Sequence, residues 1–170
     1  MRESAYLSMI PARAAMVALA LPLCAAVVLA PLLLRAGSPA AAAALYAALS
    51  PVCHQLPDRA FSFHGMPWAA CHRCSGIYLG LAAAALAPAA FHALILRRRR
   101  TAVLLGIAPV IIDFSLASLG VCANTPTSRL VTGFLLGAIL SSLSVSGLAE
   151  LFARRLPRSA SRGSSALGDT

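Results

Sequence analysis

The chain has 170 residues, 59% of them hydrophobic and only 11% charged. That is too little polar surface for a soluble domain of this size, so the composition places the chain in a lipid bilayer. A net charge of +9 could suggest nucleic acid. All fourteen basic residues are arginine, however, and most flank apolar runs without interleaved aromatics, which excludes a nucleic-acid-binding stripe.

Residues 1–13, with Arg2 and Arg13, precede a first apolar run over 14–34. A bilayer core of about 30 Å needs about 20 apolar residues in a helix, and this run meets that. It is longer than the apolar region of a secretory signal, and Leu-Pro-Leu before Cys24 lacks the small residue of a lipoprotein cleavage site, so it reads as a span. Residues 39–51, PAAAAALYAALSP, are helical by propensity. At about 1.5 Å per residue they are too short to cross, so a helix on the outer surface is expected there. Three further spans are predicted over 75–96, 101–120 and 130–152, joined to the first by a loop over 35–74. The basic tail, 153–170, is polar and small and is expected to be disordered. The expected fold class is therefore an all-α polytopic membrane helical bundle: four transmembrane helices forming one membrane domain over 14–152, plus a short outer-face helix.

Arginine sets the expected orientation. Arg97, Arg98, Arg99 and Arg100 fill a tight turn between the second and third spans, and such a turn belongs in the cytoplasm. Alternation then puts both termini inside, with Arg2, Arg13, Arg154, Arg155, Arg158 and Arg162, and leaves only Arg35, Arg59, Arg73 and Arg129 outside. The expected location is a bacterial inner membrane, with the 35–74 loop on the outer face.

Within that loop, residues 53–74 read CHQLPDRAFSFHGMPWAACHRC and hold three of the five cysteines and three of the four histidines. Cys71-His72-Arg73-Cys74 has the spacing shared by metal knuckles and dithiol redox motifs. It also opens a helix, where unsatisfied N–H groups, the helix dipole and Arg73 favour thiolates. Three readings stay open. Cys53, His54, Cys71 and Cys74 form a set suited to tetrahedral zinc, and soft thiolates also hold cuprous copper; His64, His72 and Cys122 are possible additional ligands. Cys71 and Cys74 can instead cycle as a redox dithiol. Or the outer cysteines, Cys122 included, form structural disulfides. No hydrolytic triad, phosphate loop or dinucleotide fingerprint points to a standard enzyme.

Asp113 lies within the third span, where a carboxylate is costly and marks a pathway or a pairing. Arg73 and Arg129, at the same end of neighbouring spans, are its candidate partners, and Arg59 adds a supporting charge in the loop. Gly76-x-x-x-Gly80 and Gly133-x-x-x-Gly137 occupy the first turns of the second and fourth spans, and equal depth predicts close approach of those helices.

These residues carry a resemblance. Cys53-His54-Gln55, Arg59, Cys71-x-Arg73-Cys74-x-Gly76-Ile77-Tyr78-x-Gly80, Asp113, Asn124, Arg129, Gly133 and Gly137 resemble the bacterial and archaeal family of membrane proteins called domain of unknown function 2085, over about residues 45–140. The chain departs from the family pattern at Ala60 and Phe114, neither a candidate ligand. The resemblance implies a small polytopic membrane protein and favours the cysteines, Arg73 and Asp113 acting as one constellation; it implies no reaction. The expected function is metal handling, or a structural site for a homodimer or membrane complex; a membrane thiol–disulfide oxidoreductase is the enzyme alternative.

Overall fold

A computed structural model describes residues 2–155; the expected disordered tail, with Arg158 and Arg162, lies largely outside the described residues. Six α-helices and one β-hairpin follow in order: α1 (Arg2–Arg35), α2 (Pro39–Leu49), β1 (Ala60–Phe63), β2 (Met66–Cys71), α3 (His72–Leu86), α4 (Ala89–Arg97), α5 (Arg99–Ser118) and α6 (Pro126–Arg155). Among the described residues, three helices are long and apolar enough to cross a membrane, or four when α3 and α4 count as one bent span. The chain is thus an all-α membrane-helical bundle. Its outward surface is what a bilayer requires: Leu104, Leu105, Ile111, Ile112 and Phe114 of α5 are all more than half exposed.

The span expected over 75–96 is not straight. It breaks at Pro88, and α4 leaves α3 at an angle of 112°. Ala87, which precedes the proline, is extended at φ −63° and ψ 152°, as the clash between a proline ring and a preceding helical residue requires. The break frees the last carbonyls of α3, and Arg13 of α1 takes them. Its Nε donates to Ala85 O at 3.0 Å and its Nη2 to Leu86 O at 2.9 Å. A cation at a helix C-terminus is also favoured by the dipole. Pro11, Pro22, Pro31 and Pro109 lie inside continuous helices, so a proline alone does not end a helix in this bundle.

Helices α3 and α6 run parallel and touch backbone to backbone. A Cβ on Gly76 would strike Leu130 O, and one on Gly80 would strike Phe134 O. In return, a Cβ on Gly133 would strike Arg73 O, and one on Gly137 would strike Ile77 O. The two G-x-x-x-G faces therefore interlock, each glycine seated on a carbonyl of the other helix, with a spacing no larger side chain permits. Helix α1 packs on both, and its lower half closes a core of Ala12, Met16, Ala85, Val145 and Ala149. Helix α6 starts at a capping pair: Ser128 N–H donates to Thr125 Oγ1 at 3.0 Å and Thr125 N–H to Ser128 Oγ at 3.2 Å.

The 35–74 loop is more ordered than a connecting loop. Helix α2 ends at Leu49, and the chain then turns into an antiparallel hairpin in which Phe63 pairs with Met66 and Ala60 with Cys71. Its two-residue turn is His64-Gly65, with φ of 50° and 81°. Positive φ at both turn positions matches the right-handed twist of the strands, and glycine takes it without strain. The Tyr46 hydroxyl donates to Pro67 O and Gln55 Nε2 donates to Tyr46 O at 2.7 Å, so α2 and the hairpin are tied together.

Candidate metal centre

Three elements converge where the hairpin runs into α3. Cys53 follows α2, and its own N–H donates to Leu49 O at 3.0 Å. This turns its side chain into a core of Val27, Ala30, Leu49, Ala69, Ala70 and Tyr78. Cys71 ends β2 and stands at the N-cap of α3 with φ −68° and ψ 161°, and Cys74 lies in the first turn of that helix. The sulfurs of Cys53, Cys71 and Cys74 lie within 4.8 Å of one another. Cys71 N–H donates to Cys53 Sγ at 3.2 Å, which locks the strand end over the buried sulfur. Cys53 is 3% exposed, whereas Cys71 and Cys74 are half-buried, so the group opens on one side.

The start of a helix sets the electrostatics. The Cys71 thiol is drawn from its ordinary 9 down to about 5. The largest cause is the hydrogen bond from the Cys74 side chain; the backbone N–H groups of Cys74 and Arg73 and the Cys53 side chain add to it, while burial opposes. Unsatisfied N–H groups at a helix start stabilise negative charge on a sulfur. A thiolate is the form that binds metal and the form that attacks a disulfide.

The other residues singled out in the sequence fall around this group. His54 is exposed, because turning Cys53 inward leaves its neighbour on the opposite side, so His54 is not among the clustered ligands. His64 is exposed at the hairpin tip, with its ring edge-on to Phe63 at 4.5 Å. His72 is 5% exposed and outside the clustered ligands, its ring packed edge-on against Phe61 at 4.4 Å, and its Nδ1 has no partner. Cys122 is exposed in the α5–α6 connection and lies outside the trio of clustered sulfurs. Arg59 is exposed at the end of a short 3₁₀ turn, 57–59.

Arg73, between the two helix-start cysteines, reaches away from them and pairs through Nη2 with Asp113 Oδ2. The same oxygen accepts from Asn124 Nδ2 at 3.1 Å. One carboxylate thereby joins α3, α5 and the α5–α6 connection. Arg129 is half-buried and faces His72, with no ion pair of its own among the described residues. Two features lay outside the sequence reading: the hairpin that delivers Cys71, and the role of Asn124 as second donor to Asp113. Alternating aromatics around His64-Gly65 are the signal that would have found the hairpin.

Every residue of the trio and of the charge pair lies within 53–143, and that segment matches the family described as predicted membrane protein, DUF2085. The chain belongs to this family. It is also similar to two archaeal proteins, both described only as uncharacterized. One, from Methanocaldococcus jannaschii, is 51% identical over 37 residues, which is 22% of this chain and 24% of that protein. The other, from Methanothermobacter thermautotrophicus, is 55% identical over 29 residues, which is 17% of this chain and 26% of that protein. The chain thus aligns with about a quarter of the length of each of these relatives. No solved structure matches the chain.

Proposed function

We propose that this protein is a multi-pass protein of a bacterial inner membrane that holds a transition metal on its outer face through Cys53, Cys71 and Cys74. The observation that carries the reading is the trio of sulfurs within 4.8 Å, drawn from three separate elements. Three thiolates alone suit cuprous copper, which accepts trigonal sulfur, and they suit zinc when a water or a partner's side chain takes the fourth position. A site with one open position fits metal handling or a metal-dependent contact with a second membrane protein or a second copy of the chain. The arginine distribution supports the outward placement of the trio.

The test is elemental analysis of protein purified in mild detergent, with free thiols counted in parallel. The expected result is about one zinc or copper per chain, lost in Cys71→Ser, Cys74→Ser and Cys53→Ser. No bound metal after loading with zinc and with cuprous copper, with all three thiols reactive, would overturn the reading.

A second reading has an observation in its favour. The half-buried Cys71 is the more acidic thiol and Cys74 sits one helical turn on as its donor, the relation between attacking and resolving thiols in a disulfide exchanger. In that case Cys71→Ser abolishes exchange with a dithiol substrate, Cys74→Ser traps a mixed disulfide, and Cys53→Ser leaves exchange intact.

A further inference from the structure

The far end of the bundle carries a second feature, independent of the sulfur trio. Arg97, Arg98, Arg99 and Arg100 join α4 to α5 and are all exposed. Among the described residues the one acid–base pair is Arg73–Asp113, so no carboxylate matches any of the four. Their side chains, with Leu96 and Thr101, line an open recess of about 500 Å³. Arg98 and Thr101 also line the head of a groove of about 490 Å³ that runs between α4, α5 and α6, walled by Phe91, Leu94, Ile95, Leu105, Leu135 and Ile139. Arg99 and Arg100 head a second apolar hollow, formed by Val103, Leu104 and Leu143. The 112° bend creates the first groove: had α3 and α4 formed one straight rod, the apolar side of α4 would not face α5 and α6.

A recess of unmatched cations that opens into two apolar channels has the polarity of a phospholipid. A topology signal needs the charges alone; it does not need channels leading from them. We infer that the arginine turn and its grooves form a binding site for an anionic phospholipid, the headgroup phosphate on Arg98 and Arg99 and the acyl chains along the α4–α5–α6 groove and the Leu104–Leu143 hollow. Guanidinium groups pair with phosphate oxygens through paired N–H donors, which selects the phosphate over a neutral surface. The net negative charge of the lipid separates it from zwitterionic lipids, because four positive charges within one turn attract it over the range of a Debye length. The inference rests on the contiguity of charge and groove and holds whichever leaflet the turn faces.

Leu94 is 57% exposed and Leu105 63%, so the groove opens sideways, where a lipid enters. The sequence has one tryptophan, Trp68, in the hairpin. The experiment places Leu94→Trp in a Trp68→Phe background and reconstitutes the full chain into phosphatidylcholine vesicles. Tryptophan quenching is then read as brominated phosphatidylglycerol or brominated phosphatidylcholine is added. The expected result is half-maximal quenching by the anionic lipid at a mole fraction about tenfold lower than for the neutral one, a preference removed by Arg98→Gln with Arg99→Gln and reduced at 1 M salt. Equal quenching by the two lipids would overturn the inference, as would a preference that survives 1 M salt or persists undiminished in the folded double variant. Displacement by millimolar inorganic phosphate would overturn it too, by showing a phosphate site that needs no lipid. The salt titration requires no arginine variant, so a failure of that variant to fold leaves the test intact.

Discussion

Cys71 is at once the last residue of a strand, the cap of a helix and a thiol drawn well below its ordinary value. The lowered value follows first from the hydrogen bond of the Cys74 side chain, which the first helical turn brings to the Cys71 sulfur, with the N–H groups of Cys74 and Arg73 adding to it against burial. The sign of the resulting pH dependence follows. A thiol whose folded value is lowered to about 5 is charged from pH 5 upward, whereas an ordinary thiol stays protonated until about 9. In metal-free protein, Cys71 should therefore alkylate at an undiminished rate down to about pH 6 and slow only as the pH falls through 5; in denaturant the midpoint should return to about 9, as mass spectrometry of labelled peptides would read. Asp113 has a different task at this scale. It neutralises Arg73 and anchors Asn124, so Asp113→Ala strands a largely buried guanidinium. Removing one partner of a buried pair costs about 3 kcal/mol, and a lower midpoint of thermal unfolding in detergent is the expected outcome. Asp113→Ala combined with Arg73→Met should recover most of that loss, since no unpaired charge remains.

At the scale of elements, the contact between α3 and α6 has no slack. The four glycines place backbone on backbone, so Gly80→Val or Gly137→Val must force the helices apart. Each is expected to lower stability by about 2–3 kcal/mol, the upper part of the range for overpacking, and to reduce metal occupancy because Cys71 and Cys74 ride on α3. Gly147→Val, a control in the same helix where a Cβ meets nothing within 4 Å, should leave both unchanged. Helix-level structure was largely legible beforehand, since unbroken apolar length announces α1, α5 and α6, and the paired glycine motifs face each other in the fold. The site was legible in part. The sequence groups Cys53, Cys71 and Cys74 with His54, and the fold brings only the three sulfurs together, because adjacency in sequence hides the fact that neighbouring side chains leave a turn on opposite sides. The break at Pro88 was not legible for a related reason. Pro22 and Pro109 have the same local chemistry and leave their helices whole, whereas at Pro88 the freed carbonyls find Arg13, a residue more than seventy positions away in sequence. The hairpin was missed because its strands of four and six residues are short against the long apolar runs on either side.

At the scale of the molecule, orientation decides which compartment the sulfurs meet. In the sequence, ten arginines fall in the amino-terminal, 97–100 and carboxyl-terminal segments, and four, Arg35, Arg59, Arg73 and Arg129, fall in the segments expected on the hairpin side. A reporter fused after Pro51 is expected to be active outside the cytoplasm and one fused after Arg100 inside it, as paired alkaline phosphatase and fluorescent-protein fusions would read. The opposite pattern would place the trio in a reducing compartment and remove the case for a disulfide exchanger.

The glycine contact also imposes an order of events during synthesis. Every cysteine of the trio has been made once residue 74 is added, yet the helix that carries Cys74 and is capped by Cys71 is only 15 residues long and leans on a partner that begins at Pro126. A growing chain is threaded into the membrane from its N-terminus, so α3 enters before the surface built to hold it exists. Until Gly133 and Gly137 arrive, the hairpin contacts and the bond from Cys71 N–H to Cys53 Sγ must hold the trio together without the backbone-to-backbone support of α6. The cysteine trio is written early in the chain and its supporting helix contact is made last, so the packing around it is completed only with the final helix.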